Sequence, residues 1–266
     1  MNGNMNGTGY LKTSANTVIR YRNRGVYDYE TINNLIDQTP ILHVSFTPST
    51  APDADEMDTY PVILPMMGFT GDFNDQDAGP DCARSVYLHG YVSSRIMRTS
   101  KNQDEGMRVC VASTLLDGVV LALTPNHHSC NYRSAVVLGR AYVVTDEAER
   151  LWAMERITDN LIPGRWAATR YPNSSEQKAT GILRVEIDTA SAKIRTGSTG
   201  EDRNDLKDMD LRKRCWNGVL PVYTTWGEPV PADTNMVSKL PAYLENMRKE
   251  RTEEARTYAI SAATPV

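Results

Sequence analysis

Between residues 41 and 196 the chain reads as one strand-length run after another, each bounded by turn formers. The runs fall at 41–46, 60–67, 85–90, 107–115, 119–124, 134–144, 182–188 and 192–196. Most are joined by short turns, and many consecutive strands connected in this way favour an antiparallel barrel over a parallel α/β sheet. Pro61 and Pro65 suit a strand end or a sheet edge. Asp117-Gly118 predicts a tight hairpin turn between the runs at 107–115 and 119–124, and Gly139 predicts a bend or bulge in a long strand.

Helix signals are fewer and lie between or after the strands. Asp28 predicts a cap for a helix at 29–38, with Ile32, Leu35 and Ile36 on one face and Pro40 at its end. Ser93 predicts a cap for a short helix reaching about Lys101, and Thr145 one for a helix at 146–160. Ser174 to Gln177 reads as a capping box, and a terminal helix is expected from Leu240 to about Ala259 with Pro241 in its first turn. The expected class is therefore mainly β with α (α+β), an antiparallel barrel with flanking helices. The expected division is a flexible tail at 1–19, a barrel domain at 20–235 and a helical extension at 236–266. The loops at 47–59 and 71–83 exceed what a minimal barrel needs and suit a pocket cover. The region after Gly197 reads as a charged loop.

Composition narrows the function classes. Hydrophobic residues make up 40% of the 266 and charged residues 23%, which suits a folded domain. Net charge is −4, and the densest basic stretch, Arg212-Lys213-Arg214, follows Asp205, Asp208 and Asp210. This argues against duplex nucleic acid as a partner, since such binding leans on a clustered positive surface. A second short basic segment runs from Arg20 to Gly25. No CxxC pair occurs among Cys82, Cys110, Cys130 and Cys215, so no metal site is expected. The polar start of the chain has no signal-peptide core, and no apolar run approaches a membrane span. Free thiols in a cytoplasmic, reducing compartment are the expectation. Gly-rich phosphate loops of Walker or dinucleotide type do not occur.

Two stretches concentrate the polar chemistry. In Tyr87-Leu88-His89-Gly90-Tyr91-Val92-Ser93-Ser94-Arg95 a strand delivers His89 and Gly90 to a turn. Gly90 permits close approach of a ligand to the backbone, Ser93 and Ser94 stand beside new helix amides, and Arg95 offers fork geometry. Such a set suits a phosphate monoester, and a capped helix with a surface arginine accounts for it equally. In Asn126 to Ser134 the neighbours Asn131, Tyr132, Arg133 and Ser134 read as a polar binding edge or as a hydrophilic loop that satisfies its own backbone. The adjacent His127 and His128 point apart on a strand and make a poor chelate. Trp166 and Trp216, each close to a glycine, can wall a planar ring or pack a core. Mid-strand His43 reads as structural, and Cys130 is the one thiol in polar surroundings.

The ordered set Pro61 to Met66, Tyr87 to Gly90, Ser93 to Arg95, Leu115 to Ala122, His127 to Gly139, Pro163 to Trp166, Ser191 to Gly197 and Trp216 to Val219 resembles the flavin-nucleotide-binding branch of the pyridoxamine 5′-phosphate oxidase-like superfamily, whose relatives include nitroimidazole-resistance nitroreductases. The resemblance covers about residues 20–221 and implies a split barrel that holds FMN at a homodimer interface. It implies that Ser93, Ser94 and Arg95 face the flavin phosphate, with Arg133 as a second phosphate contact. It places Leu88, His89 and Gly90 along the ribityl chain and ring, and Pro65 and Met66 near the isoalloxazine. It adds polar contacts from Asn131, Tyr132 and Ser134, has Trp166 and Trp216 close the ring site, and makes His89 the substrate-facing catalytic group. The extra basic residues that pyridoxamine-phosphate oxidases use for their substrate phosphate have no full counterpart here. The implied activity is an FMN-dependent oxidoreductase acting on a small organic acceptor. A non-catalytic FMN module and a haem-binding barrel using His43, His127 or His128 are the rival readings.

Overall fold

A computed structural model describes residues 7–48 and 59–264, so positions 1–6 of the expected tail and positions 49–58 of the expected loop lie outside the described residues. Along these residues the strands are β1 (Gly25–Val26), β2 (Leu42–Phe46), β3 (Val62–Met66), β4 (Gly68–Gly71), β5 (Ser85–Tyr91), β6 (Met107–Leu121), β7 (Ser129–Val143), β8 (Thr180–Arg195) and β9 (Gly218–Pro221). The helices are α1 (Tyr29–Asp37), α2 (Arg95–Lys101), α3 (Glu147–Leu161), α4 (Ser174–Ala179), α5 (Arg203–Lys207), α6 (Met209–Arg214) and α7 (Ala242–Ala263). The sheet order is β3-β2-β6-β7-β8-β5-β4, with β1 on β8 and β9 on β6. β2 runs antiparallel to β3 and β6, and β5 to β4 and β8. This is the expected antiparallel α+β split-barrel architecture, with a strand path that stays open.

Alternation explains why these segments are strands. In β2, Leu42, Val44 and Phe46 are buried and His43 is exposed. In the first half of β6, Met107, Val109, Val111 and Ser113 face inward. Each fully buried aliphatic side chain contributes about 1.5–3 kcal/mol of transfer free energy.

Several expectations are corrected. Asp117-Gly118 makes no hairpin, because β6 runs straight through it: Asp117 is 3% exposed and paired to Arg133, and Gly118 pairs with Pro221. The turn propensity of the dipeptide yields to a buried ion pair and a strand partner. Likewise the runs at 182–188 and 192–196 belong to one continuous strand, β8. The charged region after Gly197 also holds α5 and α6, each begun by an aspartate cap, Asp202 and Asp208.

The chain divides into two compact units, one comprising residues up to Thr114 with Ser134–Lys193, the other Leu115–Arg133 with residues from Ile194 onward. The helix expected as a terminal extension, α7, falls in the second unit.

In the first unit α1 buries Ile32, Leu35 and Ile36, and Asp28 caps it by accepting from the Thr31 amide at 2.8 Å. Phe69 on β4, Tyr87 on β5 and Ala153 and Ile157 on α3 form one buried cluster, with Trp152 edge-on to Phe69 and Tyr87. The Tyr87 hydroxyl donates to Glu149 at 2.7 Å, and Arg184 donates to the same carboxylate at 2.9 Å. This anchors β5 just before His89. Residues 8–19, read as a tail, are tied down: the Tyr10 amide donates to Tyr27, and buried Asn16 bonds to Leu11, Thr189 and Ala190.

Candidate functional site

β5 brings His89, Gly90 and Tyr91 opposite Ile182, Gly181 and Thr180 of β8. Two glycines thus face each other across the ladder, and the backbone there carries no side chain. A Cβ on Gly90 would lie 3.1 Å from the methyl of Met97, 3.5 Å from that of Met66 and 3.8 Å from the Ser94 hydroxyl. A Cβ on Gly181 would lie 3.0 Å from the same Met97. Met66, Ser94 and Met97 therefore pack closely over the Gly90 and Gly181 backbone, a niche filled by flexible thioether tips that a ligand would have to displace.

One polar group at this niche, the Ser94 hydroxyl, is unspent. Ser94 caps α2 with extended backbone, yet its side chain makes no cap bond, and its buried Oγ has no hydrogen-bond partner. A buried hydroxyl left unpaired costs free energy, so a native one signals a missing partner. The half-buried His89 imidazole is pushed below the usual histidine pKa by desolvation, which keeps it neutral near pH 7. Its main-chain amide is used, donating to Met67 at 2.9 Å. Ser93 and Arg95, on either side of Ser94, are exposed.

The other residues named from sequence separate into distinct roles. Leu88 is fully buried and sits with Leu42 against the α-carbon of Gly68; strand alternation puts it on the same face of β5 as Gly90 and turns the His89 side chain to the opposite face. Pro65 is exposed and stands opposite His43 across the β2–β3 pair. Trp166 packs edge-on to Tyr171 at 6.1 Å, and its amide donates to Asp159. Ser134 donates to the Lys193 carbonyl at 3.2 Å.

Asn131, Tyr132, Arg133 and Trp216 lie in the second unit. Arg133 grips Asp117 through Nε and Nη2 at 2.8–3.3 Å and stacks on the Tyr258 ring at 3.6 Å. Fully buried Asn131 donates to the carbonyls of Gly197 and Ala262 and accepts from Arg195. Both hold α7 through these contacts. Trp216 is 62% exposed, with its ring over Gly218. His128 accepts the Ala122 amide on Nδ1, whereas the buried Nδ1 of His127 has no partner.

Sequence reasoning missed Met97 and Gly181, which complete the niche. Gly181 carried a signal, since a glycine opening a strand run marks a close approach. It also missed Asp37, whose carboxylate accepts from the Thr70 amide at 2.6 Å and hydroxyl at 2.9 Å; burial pushes its pKa up to about 6. Among the described residues no cluster of three metal-ligating side chains occurs, and no helix is long and apolar enough to cross a membrane.

Comparison with known proteins follows the same lines. No curated protein matches the chain. Among solved structures, the flavocytochrome Anf3 from Azotobacter vinelandii is 28% identical with a TM-score of 0.70, over 88% of this chain and 96% of that one. The FAD and haem binding protein from Mycobacterium smegmatis is 28% identical with a TM-score of 0.67, over 85% and 97% respectively. The family described as pyridoxamine 5′-phosphate oxidase matches residues 28–194, more than half of the chain, and this protein belongs to that family.

Proposed function

We propose that this chain is a flavin-binding oxidoreductase that works as a homodimer in the cytoplasm and passes electrons from a reduced donor to a small organic acceptor. The observation that carries this reading is the unpartnered, buried Ser94 hydroxyl beside the glycine-faced strand at His89 and Gly90. Family membership and two neighbours with flavin in their names or descriptions support it.

When bound, the flavin supplies hydride and single-electron exchange. The chain supplies the rest. Ser94 donates to a phosphate oxygen, and Arg95 pairs with the same group through its fork. Gly90 lets the ligand lie against the backbone, and the methyls of Met66 and Met97 give way to it. His89, neutral near pH 7, offers one N–H to orient an acceptor and holds a proton for it at the other protonation state. The four free cysteines fit a reducing compartment. The family resemblance favours FMN, and the likeness to an FAD binding protein favours the dinucleotide.

A haem beside the flavin is the second reading, supported by the flavocytochrome and by the FAD and haem binding protein, both covered over nearly their whole length. Of the imidazoles, His128 is the poorer ligand, because a neutral ring that accepts on Nδ1 carries its proton on Nε2. His127, whose buried Nδ1 has no hydrogen-bond partner, is the better one.

The visible spectrum of the purified full chain, followed by mass analysis of what heat releases, tests both readings. Twin flavin bands with released FMN or FAD support the main reading and identify the nucleotide, and a Soret band lost in His127→Ala supports the second. A protein that stays colourless after addition of FMN, FAD and haemin overturns both. Sedimentation tests the dimer, and a monomer at every concentration refutes it.

A further inference from the structure

The basic segment around Arg20 is not used by the niche, and its conformation is unusual. Tyr21 has φ 57° and ψ 61°, the only positive φ of a non-glycine residue among the described residues. Left-handed backbone is costly for a tyrosine and persists where surroundings impose it, often at functional surfaces. The strained residue is not hidden: Tyr21 is 50% exposed, with the Arg24 guanidinium over its ring at 4.1 Å and that of Arg20 at 5.1 Å. Lys12 lies over the Tyr27 ring at 4.8 Å. Among the described residues none of Lys12, Arg20, Arg22 and Arg24 forms an ion pair, so this positive charge is not neutralised locally. Exposed Ile19 and Leu11 lie in the same segment. Arginine and tyrosine with exposed aliphatic groups are the makings of a protein-interface hot spot.

We propose that the surface carrying Lys12, Arg20, Tyr21, Arg22 and Arg24 docks an acidic electron-carrier protein. The inference rests on the flavin reading above and names its donor. The net charge of −4 opposes an acidic partner over the surface at large, so local basic patches such as this one draw it in and set its orientation, the exposed Arg212-Lys213-Arg214 stretch being the other. A second copy using the same patch face to face would set arginine against arginine. Four cations are too few for tight duplex binding, which takes many phosphate contacts. With a flavin bound, the carrier would lose one electron in each docking event and the flavin would take it up, with a proton drawn from water.

The test is binding of an oxidised, acidic [2Fe–2S] ferredoxin to the full chain by calorimetry. Saturable binding at about 20 mM salt is expected, weakened about 10-fold or more at about 200 mM, where screening shortens the field. Arg20→Glu with Arg22→Glu should abolish it at an unchanged melting temperature. Tyr21→Gly, which relieves the backbone, should weaken it while raising thermal stability. No saturable binding at low salt, binding indifferent to salt, or wild-type binding by the charge-reversed variant overturns the proposal. So does a preference for anionic vesicles or duplex DNA over the carrier. Binding needs no flavin on this chain: a colourless protein that binds the carrier sinks the flavin reading and leaves the surface standing, and a yellow protein that ignores the carrier does the reverse.

Discussion

The turn from β5 into α2 and the start of β7 look alike in sequence, each a cluster of histidine, serine and arginine beside a long strand, yet the fold uses them in opposite ways. At the first, the Ser94 hydroxyl is buried without a partner and His89 is held neutral by burial. At the second, most polar groups are spent, the buried Nδ1 of His127 excepted. Arg133 lies between Asp117 and Tyr258, Asn131 clasps Gly197, Ala262 and Arg195, and Ser134 reaches Lys193. Hydrogen-bond satisfaction separates a ligand site from a structural clasp, and residue type does not. A phosphate needs donors that the protein has left open, because breaking an existing buried ion pair to make a new one gains little.

The sharpest way to break this comparison is Arg133→Ala. It should lower stability by about 3–5 kcal/mol, because the Asp117 side chain, 4% exposed, loses its cation. Flavin affinity per folded molecule should not change, and a variant of native melting temperature with weakened flavin binding would restore Arg133 as a phosphate contact. Asn131→Ala should cost somewhat less, about 2–3 kcal/mol by chemical denaturation, since it deletes one buried hub of the α7 clasp. Ser94→Ala should show the mirror-image pattern. Flavin affinity should fall by roughly 10-fold, about 1.4 kcal/mol, while the ligand-free protein keeps or slightly gains stability as an unsatisfied hydroxyl is removed. Equal affinity in titrations of the two proteins would empty the niche of its assigned role.

A pH dependence is expected within the first unit as well. The folded pKa of Asp37, about 6, lies above the ordinary 3.8, so between these values the folded state holds more protons than the unfolded one. Its contribution is therefore fully present below about pH 3.8 and is lost as pH rises through about 6. Compared with Asp37→Asn, which does not titrate, the wild type should lose relative melting temperature between pH 4 and 7. A constant difference across that range would show that Asp37 ionises normally.

Much of this molecule was legible without coordinates. The strand runs, the Asp28 cap, the terminal helix and the antiparallel architecture follow from local periodicity and capping chemistry, which act over a few residues and leave their mark in order along the chain. The position of Ser94, His89 and Gly90 at a strand-to-helix turn was legible for the same reason. What tertiary structure alone decided are the partners. Asp117-Gly118 has the local chemistry of a turn, and only Arg133, sixteen residues away, and the ladder to β9 make it strand. Met97 and Gly181 join the niche because β5 and β8 pair, although more than eighty residues separate them along the chain. A side chain's type is written in the sequence, whereas whether its hydrogen bonds are already spent depends on residues far along the chain, and that decides which polar cluster is free to take a ligand.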